Sequence, residues 1–384
     1  MANVTQIYQL VNDAASEALG EKAIAVKDTG SLVSLGSVVF SSSENVDAFY
    51  HSLVDRIGRT VIAVRQYTGR KRAVKRDEME WGLIYQKISF KKREAVENPS
   101  WTSATQADPF DVEPQTEIVQ KLFAKISTYS YEDSIPDGQL FTAFTDAASM
   151  GAFISGIYTN MDNYLELAEE DLANLAVDTY MAGALIHKKP AQVRDLLKEY
   201  NTANGTTLTK EAALKNADFL KFASREIKTT IGNMHKMSTI FNAEGIPRFT
   251  PADKMVVEIL GQFASATATY LESDTYHKEL VALPNYEEVP YWQAPGTTFA
   301  FDDVSKINIT NSELATRENA TGTIEQSGII AFIHDYDAVA SIIYRRRDGS
   351  IYNPRAERYN IFRKADKGYA VDLSENGVVF YLGE

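Results

Sequence analysis

The chain has 384 residues, 44% hydrophobic and 24% charged, enough for two or three folding units with real cores and far from the composition of a disordered chain. It contains no cysteine, which removes disulfides, thiolate metal sites and cysteine nucleophiles. Lys plus Arg number 39 against 52 Asp plus Glu, a formal charge of −13, which argues against a protein whose main task is coating phosphates. At the N-terminus the first basic residue is Lys22, and no apolar run of about 18 residues follows anywhere; neither a secretory signal nor a membrane span fits, so a soluble protein made in a cytoplasm is expected. Short apolar stretches over residues 1–45 alternate with Gly20, Gly30, Gly36 and Ser41-Ser42-Ser43. That density of breakers predicts an extended arm. From Asn45 to Asp55 a short helix is expected, with Phe49, Leu53 and Ile57 on one face and Gly58 as its stop.

Thr60–Tyr67 and Met79–Phe90 are rich in Val, Ile, Tyr and Phe, and the intervening Thr68–Glu78 is mostly charged. This reads as a long hairpin. On its second strand Trp81, Leu83 and Tyr85 share one face and Ile84, Ile88 and Phe90 the other. A lone two-stranded ribbon is marginal in water, so apolar groups on both faces need a cover, and a neighbouring copy of the chain is the simplest one. The charge is concentrated here as well: residues 65–93 hold ten basic and three acidic side chains, net +7, leaving −20 for the remainder. Arg70, Lys71, Arg72, Lys75 and Arg76, with Lys91-Lys92-Arg93, form a basic island whose expected partner is the acidic body of another subunit rather than nucleic acid.

Asn98 to Pro114 is a turn-rich boundary. Beyond it Met150, Ile154, Ile157, Met161, Leu165, Ala168, Leu172 and Leu175 are spaced 4, 3, 4, 4, 3, 4 and 3, the stripe of an amphipathic helix roughly 39 Å long at 1.5 Å per residue, unless Gly156 or Asp162-Asn163 bends it. Asp162, Glu166, Glu169, Glu170 and Asp171 would form its solvated face. Lys188-Lys189-Pro190 closes this unit, Asn201–Gly205 reads as a loop, and helical patterning resumes from Glu211 to Phe241. Thr250-Pro251-Ala252-Asp253 matches a helix start, whereas Met255–Leu260 is a β-branched run; the residues leave both readings open. From there to Asn311, short strands and loops are expected around Pro284, Pro290 and Pro295. The C-terminal region predicts a meander: Ile329–Ile333, Ser341–Tyr344, a turn at Asp348-Gly349, Tyr359–Phe362, a turn at Lys367-Gly368, Tyr369–Leu373, a turn at Asn376-Gly377 and Val378–Leu382.

Motifs for chemistry are scarce. There is no phosphate-cradling glycine loop, no G-x-S-x-G elbow, and the five histidines (His51, His187, His235, His277, His334) stand too far apart in sequence for a helical zinc pair. His334-Asp335-Tyr336-Asp337 is one local cluster that could bind a divalent ion or move protons, although a solvated strand end is the ordinary reading of such a run. A carboxylate pair of hydrolytic type cannot be assigned to positions. A second basic patch, Arg345-Arg346-Arg347 with Arg355, Arg358, Arg363 and Lys364, suits either DNA or salt bridges to the acidic body.

The order of these parts resembles the major capsid proteins of tailed bacteriophages with the Hong Kong 97-type fold, in particular those of phi-29-like podophages. The residues that carry the resemblance are Phe49–Ile62, centred on Leu53-Val54-Asp55-Arg56-Ile57-Gly58 and leading into the basic hairpin, then Phe141–Met181 as the spine-helix region. The last block is Ile330–Ile343, Asn353-Pro354-Arg355 and the strand from Tyr359; residues 190–325 align only loosely, and in the family's register Met255–Leu260 is a strand. The resemblance implies an α+β chain with an N-terminal arm (1–48), an extended hairpin loop (49–105), a peripheral domain with the spine helix (106–190), an axial domain (191–328) and closing strands (329–384). It implies a structural protein, not an enzyme, without cofactor or metal, whose copies form hexamers and pentamers of an icosahedral shell around double-stranded DNA. Intersubunit contacts would come from the hairpin residues Arg70, Lys71, Arg72, Lys75, Arg76 and Trp81. Expected partners are further copies, a separate scaffolding protein, a portal protein at one vertex and DNA held non-specifically, with assembly in the host bacterial cytoplasm. A nanocompartment shell of encapsulin type shares the fold, and a carboxylate-dependent hydrolase is the reading from another class.

Overall fold

The computed structural model describes residues 4–61, 73–76, 85–90, 118–123, 126–136, 138, 147–272, 286–293, 303–310 and 323–383. The N-terminal segment is helical, which corrects the extended arm: α1 (Val4–Leu19), α2 (Thr29–Val39) and α3 (Ser43–Val61) pack on one another. The glycines punctuate helices here rather than prevent them. Gly20 takes a left-handed φ of 55° just after α1, Asp28 caps α2 through a reciprocal bond with Ser31, and Gly36 is buried inside α2. Helix α3 starts two residues earlier than expected and runs through Gly58. Phe49 and Leu53 are buried as the spacing predicted, in a core with Val11, Ala14, Ala15, Leu35, Met161 and Tyr359; the side chain of Ile57 lies outside the described set.

Helix α4 (Ala147–His187) is the long element: 41 residues, about 61 Å at 1.5 Å per residue, unbroken at Gly156 and at Asp162-Asn163. The predicted stripe holds at Met161 and Leu172 and drifts off the core by Leu175, which is exposed. The C-terminal half packs instead through Ala173, Ala176, Val177, Tyr180 and Ala184, small residues that admit a sheet closely on one side. Its expected solvated face is a further correction, since Asp162, Glu169 and Glu170 are buried.

Two sheets flank α4. A four-stranded sheet runs β1 (Lys75–Arg76), β11 (Val339–Asn353), β12 (Arg358–Val371), β4 (Ile126–Pro136). A five-stranded sheet runs β5 (Val193–Asp195), β13 (Gly377–Tyr381), β10 (Ile329–Asp335), β6 (Met255–Leu260), β7 (Glu287–Val289). Strand β10 is buried along its whole length, because Phe332 faces α4 while Ala331 and Ile333 face the helices α5 (Leu196–Asn204), α7 (Ala217–Met234) and α8 (Gly261–Thr267). A short α6 (Lys210–Ala213) precedes α7. Two small ribbons complete the described fold: β2 (Tyr85–Phe90) with β3 (Ile118–Phe123), and β8 (Ile307–Ile309) with β9 (Ile324–Gln326).

Several local expectations change. Asn201–Asn204 is the last turn of α5, and the chain leaves it only at the left-handed Gly205. Residues 252–254 make one 3-10 turn and 255–260 a strand, so the β-branched run wins over the capping pattern. Residues 261–272 are helical rather than loop. Asp348-Gly349 and Lys367-Gly368 lie inside paired strands; the turn sits at 354–357, where Glu357 adopts a φ of 46°. The C-terminal strands therefore divide between two sheets instead of forming one meander.

Candidate functional site

Strand β2 does not pair within the expected hairpin over its described length. It pairs antiparallel with β3, Tyr85 opposite Phe123 through Phe90 opposite Ile118; residues 62–72 and 77–84, including the first predicted strand from Ile62 onward, lie outside the described residues. Alternation then sorts the ribbon into two faces. Ile88, Phe90, Ile118 and Leu122 share one, and they are 55%, 59%, 63% and 58% exposed. Four large apolar side chains on one short ribbon face water, which is uncommon in a monomer and marks an interaction surface.

The opposite face is ionic. Lys87 and Lys121 stand directly across from each other, an arrangement that destabilises a ladder unless an anion separates the two cations. Asp372, in the turn after β12, does so: its Oδ2 lies 2.9 Å from Lys87 Nζ and its Oδ1 2.8 Å from Lys121 Nζ. Glu375 Oε1 takes a second contact from Lys87 at 2.8 Å, and Glu244 Oε1 one from Lys121 at 2.5 Å. Asp372 also accepts from the Ser374 hydroxyl and backbone N–H. Burial pushes its carboxyl up, but Lys87, Lys121 and Ser374 together hold it well below the usual carboxylate range. At Glu375 burial wins over Lys87, and its pKa is raised. Phe123 beside this clamp packs on Ala340, Ile342, Tyr344 and Ala370. None of Lys121, Asp372 or Glu375 was singled out from the sequence, and Lys87 was counted only as part of the basic run. The available signal was a lysine breaking the apolar alternation between Tyr85 and Phe90.

The described part of the basic island is engaged within its own chain. Strand β1 pairs in parallel with Ser341-Ile342 of β11. Lys75 Nζ reaches Glu166 of α4 at 2.5 Å, and the Arg76 guanidinium stacks 3.5 Å over the Tyr336 ring while donating to the Tyr336 carbonyl. Arg70, Lys71, Arg72 and Trp81 lie outside the described residues. The second basic patch divides as the salt-bridge alternative allowed. Arg346 binds Glu169 at 2.9 Å, Arg363 binds Asp162, Arg347 binds Asp366 at 2.7 Å, and the buried Lys367 lies 3.5 Å from Glu169. These pairs fasten α4 to the β11–β12 sheet, which is why its acidic face is not solvated.

The candidate chemistry resolves into structure. His334 is fully buried, stacked on Phe332 with centroids 4.8 Å apart, with Nδ1 2.8 Å from the Asp335 carbonyl and Nε2 3.8 Å from Glu258. Asp335 is also buried, whereas Asp337 pairs outward with Lys254. The solvated strand end is thus corrected for its first two residues, and among the described residues no group of three or more His, Asp or Glu is placed to hold a metal. Ser350 Oγ lies 3.2 Å from His51 Nδ1, and His51 Nε2 lies 4.0 Å from Asp47. Tyr359 donates to the same hydroxyl and stacks on Tyr50. This chain of contacts ties α3 to the β11–β12 hairpin.

A model of the Phi29-like phage major capsid protein family matches residues 11–381. The chain belongs to that family. The match runs through residues 190–325, where the sequence resemblance was loose, and through the helical N-terminus from Val11 onward. The major capsid protein of Bacillus phage GA-1 is 27% identical over 176 residues, 44% of this chain and 35% of that protein, so the alignment spans about a third of the relative's length. Two solved structures share the fold at very low identity. One is the capsid of Staphylococcus phage Andhra, with 10% identity, a TM-score of 0.53, and 84% of this chain and 86% of that one covered. The other is a chain from the structure of the head fiber and inner core protein of native bacteriophage P68, with 11% identity, a TM-score of 0.53, and 83% and 86% covered. In this Phi29-like chain the helices, the two sheets and the clamped ribbon together form a mixed α and β subunit like those of other phage capsids.

Proposed function

We propose that the chain is the shell-forming subunit of a phage head. Copies of it assemble into hexamers and pentamers of an icosahedral capsid of Hong Kong 97 type around double-stranded DNA, with an arm, hairpin loop, peripheral and axial domains bounded near residues 48, 105, 190 and 328. The role is structural rather than catalytic. The observation that carries the reading, beside family membership, is the ribbon: one face is fastened to the body by Lys87 and Lys121, and the other presents Ile88, Phe90, Ile118 and Leu122. Neighbouring copies would cover that apolar face, and Arg70, Lys71, Arg72 and Trp81 would extend the contact. A scaffolding protein during assembly, a portal at one vertex and non-specific DNA contact complete the partner set, with assembly in the bacterial cytoplasm and the virion as destination. Negative-stain electron microscopy of the expressed protein, with and without its scaffolding protein, is the test. Closed shells, tubes or sheets support the proposal; compact single particles under every condition overturn it.

A further inference from the structure

The two faces of the β2–β3 ribbon differ in the kind of force that holds them. Outward lies apolar area that nothing in the chain covers fully. Inward, the charged grip is one carboxylate, Asp372, bridging two opposed lysines, reinforced by Glu375 on one side and Glu244 on the other. Arg248 Nε, 3.5 Å from Glu375, completes the charged set. The apolar inward contact is confined to the end of the ribbon, where Phe123 meets Ala340, Ile342, Tyr344 and Ala370. Lys87 also donates to the Asp337 carbonyl at 3.2 Å, in the turn between β10 and β11. The ribbon is therefore pinned at its middle by charge and at one end by packing, which is the layout of an arm on a pivot with a catch.

We propose that Lys87, Lys121 and Asp372 form an ionic latch that sets the direction in which the ribbon presents its apolar face, and that opening the latch lets the ribbon swing about the Phe123 end. The latch stands on geometry within one chain; its consequence for assembly rests on the shell-subunit reading. A charge-based catch differs from an apolar one in a useful way. Removing one partner leaves the other buried and uncompensated, so the latch has a closed state and an open one rather than a continuum. Asp372 keeps its charge far into acid because both lysines favour it, so the catch stays closed across ordinary pH.

The absence of cysteine in the chain makes the test direct. Cysteines introduced at Gln120, exposed on the ribbon's outward face, and at Thr239, exposed on the body, carry spin labels in the full-length, unassembled subunit, and the distance between them is read by pulsed electron resonance. With the latch intact a single narrow distance peak is expected. In Lys87→Met/Lys121→Met that peak is lost to a broad distribution, while circular dichroism and the melting profile show a folded body. Asp372→Asn is the second variant should the lysine pair fail to fold, with the same loss expected. An unchanged narrow peak in a folded latch variant overturns the proposal. Because the measurement is made on single subunits, it gives its answer whether or not the protein forms shells, and electron microscopy of the same variants reports separately on assembly.

Discussion

Substituting Phe90→Ser and Leu122→Ser together removes about half of the apolar ladder without touching the lysine clamp. Full burial of such a side chain is worth about 1.5–3 kcal/mol. With 59% and 58% of the two residues exposed in the subunit, somewhat more than half of that remains to be gained on assembly, about 1–1.5 kcal/mol each. The pair is then worth about 2–3 kcal/mol per subunit, which at 1.4 kcal/mol per tenfold raises the concentration needed for assembly by about 30- to 150-fold. The assay is light scattering against subunit concentration, with electron microscopy identifying the particles. The matched control is Gln86→Ser/Gln120→Ser, on the same exposed face and carrying no large apolar area. The reasoning is refuted if the apolar pair assembles at the same threshold as the glutamine pair, or if its unassembled subunit loses most of its stability, since either result would place these side chains outside an intersubunit contact.

Three further outcomes follow from the buried charges and close contacts. Asp372 has its folded pKa below the unfolded value of 3.8, so the stability it contributes is present above about pH 4 and lost as pH falls through the folded value. Asp372→Asn should therefore cost about 1–3 kcal/mol at pH 7 and flatten the acid limb of stability in urea titrations below pH 4, whereas Glu375, with its pKa raised by burial, favours its protonated form, and Glu375→Gln should be far milder at pH 7. Gly377→Ala places a Cβ 2.5 Å from the buried Tyr180 ring and should destabilise by about 1–3 kcal/mol in thermal melts, while Gly349→Ala, with nothing within 4 Å, should be tolerated. Lys367→Met, at a buried site where desolvation outweighs Glu169 and lowers the lysine's pKa, should leave stability unchanged or raise it, because Arg346 still satisfies Glu169; a loss above about 3 kcal/mol would contradict this.

What was legible in the sequence was periodicity that a single face enforces. The α4 stripe, the Phe49 and Leu53 face of α3 and the continuous burial of β10 follow from spacing alone, because in each case the partner surface is broad and apolar. Glycine was misread where its context decides its meaning. Gly36 inside α2 and Gly349 inside β11 sit in regular elements, while Gly20 and Gly205 end helices with positive φ. Composition does not separate these cases, since the difference lies in which neighbours pack against the backbone. The register of β2 was equally hidden, because its partner Ile118–Phe123 lies 28 positions beyond Phe90 when counted to Ile118, and the nearer apolar run was the natural choice.

Charge was the least readable quantity, for a reason that bears on assembly. The sequence shows a basic island and an acidic helix as separate features, and each alone suggests an outward-facing surface. In the fold Lys75, Arg346, Arg363 and Lys367 are drawn onto Glu166, Glu169 and Asp162 of α4, so these opposite charges cancel between α4 and the four-stranded sheet. The same happens on the ribbon, where Lys87 and Lys121 are consumed by Asp372, Glu375 and Glu244. A subunit that spends these cations internally keeps its ribbon's outward face almost purely apolar, and an apolar contact, unlike an exposed ion pair, is not weakened by salt. Assembly through that face should accordingly survive an ionic strength that screens surface charge, and a threshold that instead rose steeply with salt in the scattering assay would return the intersubunit role to the basic residues 70–72.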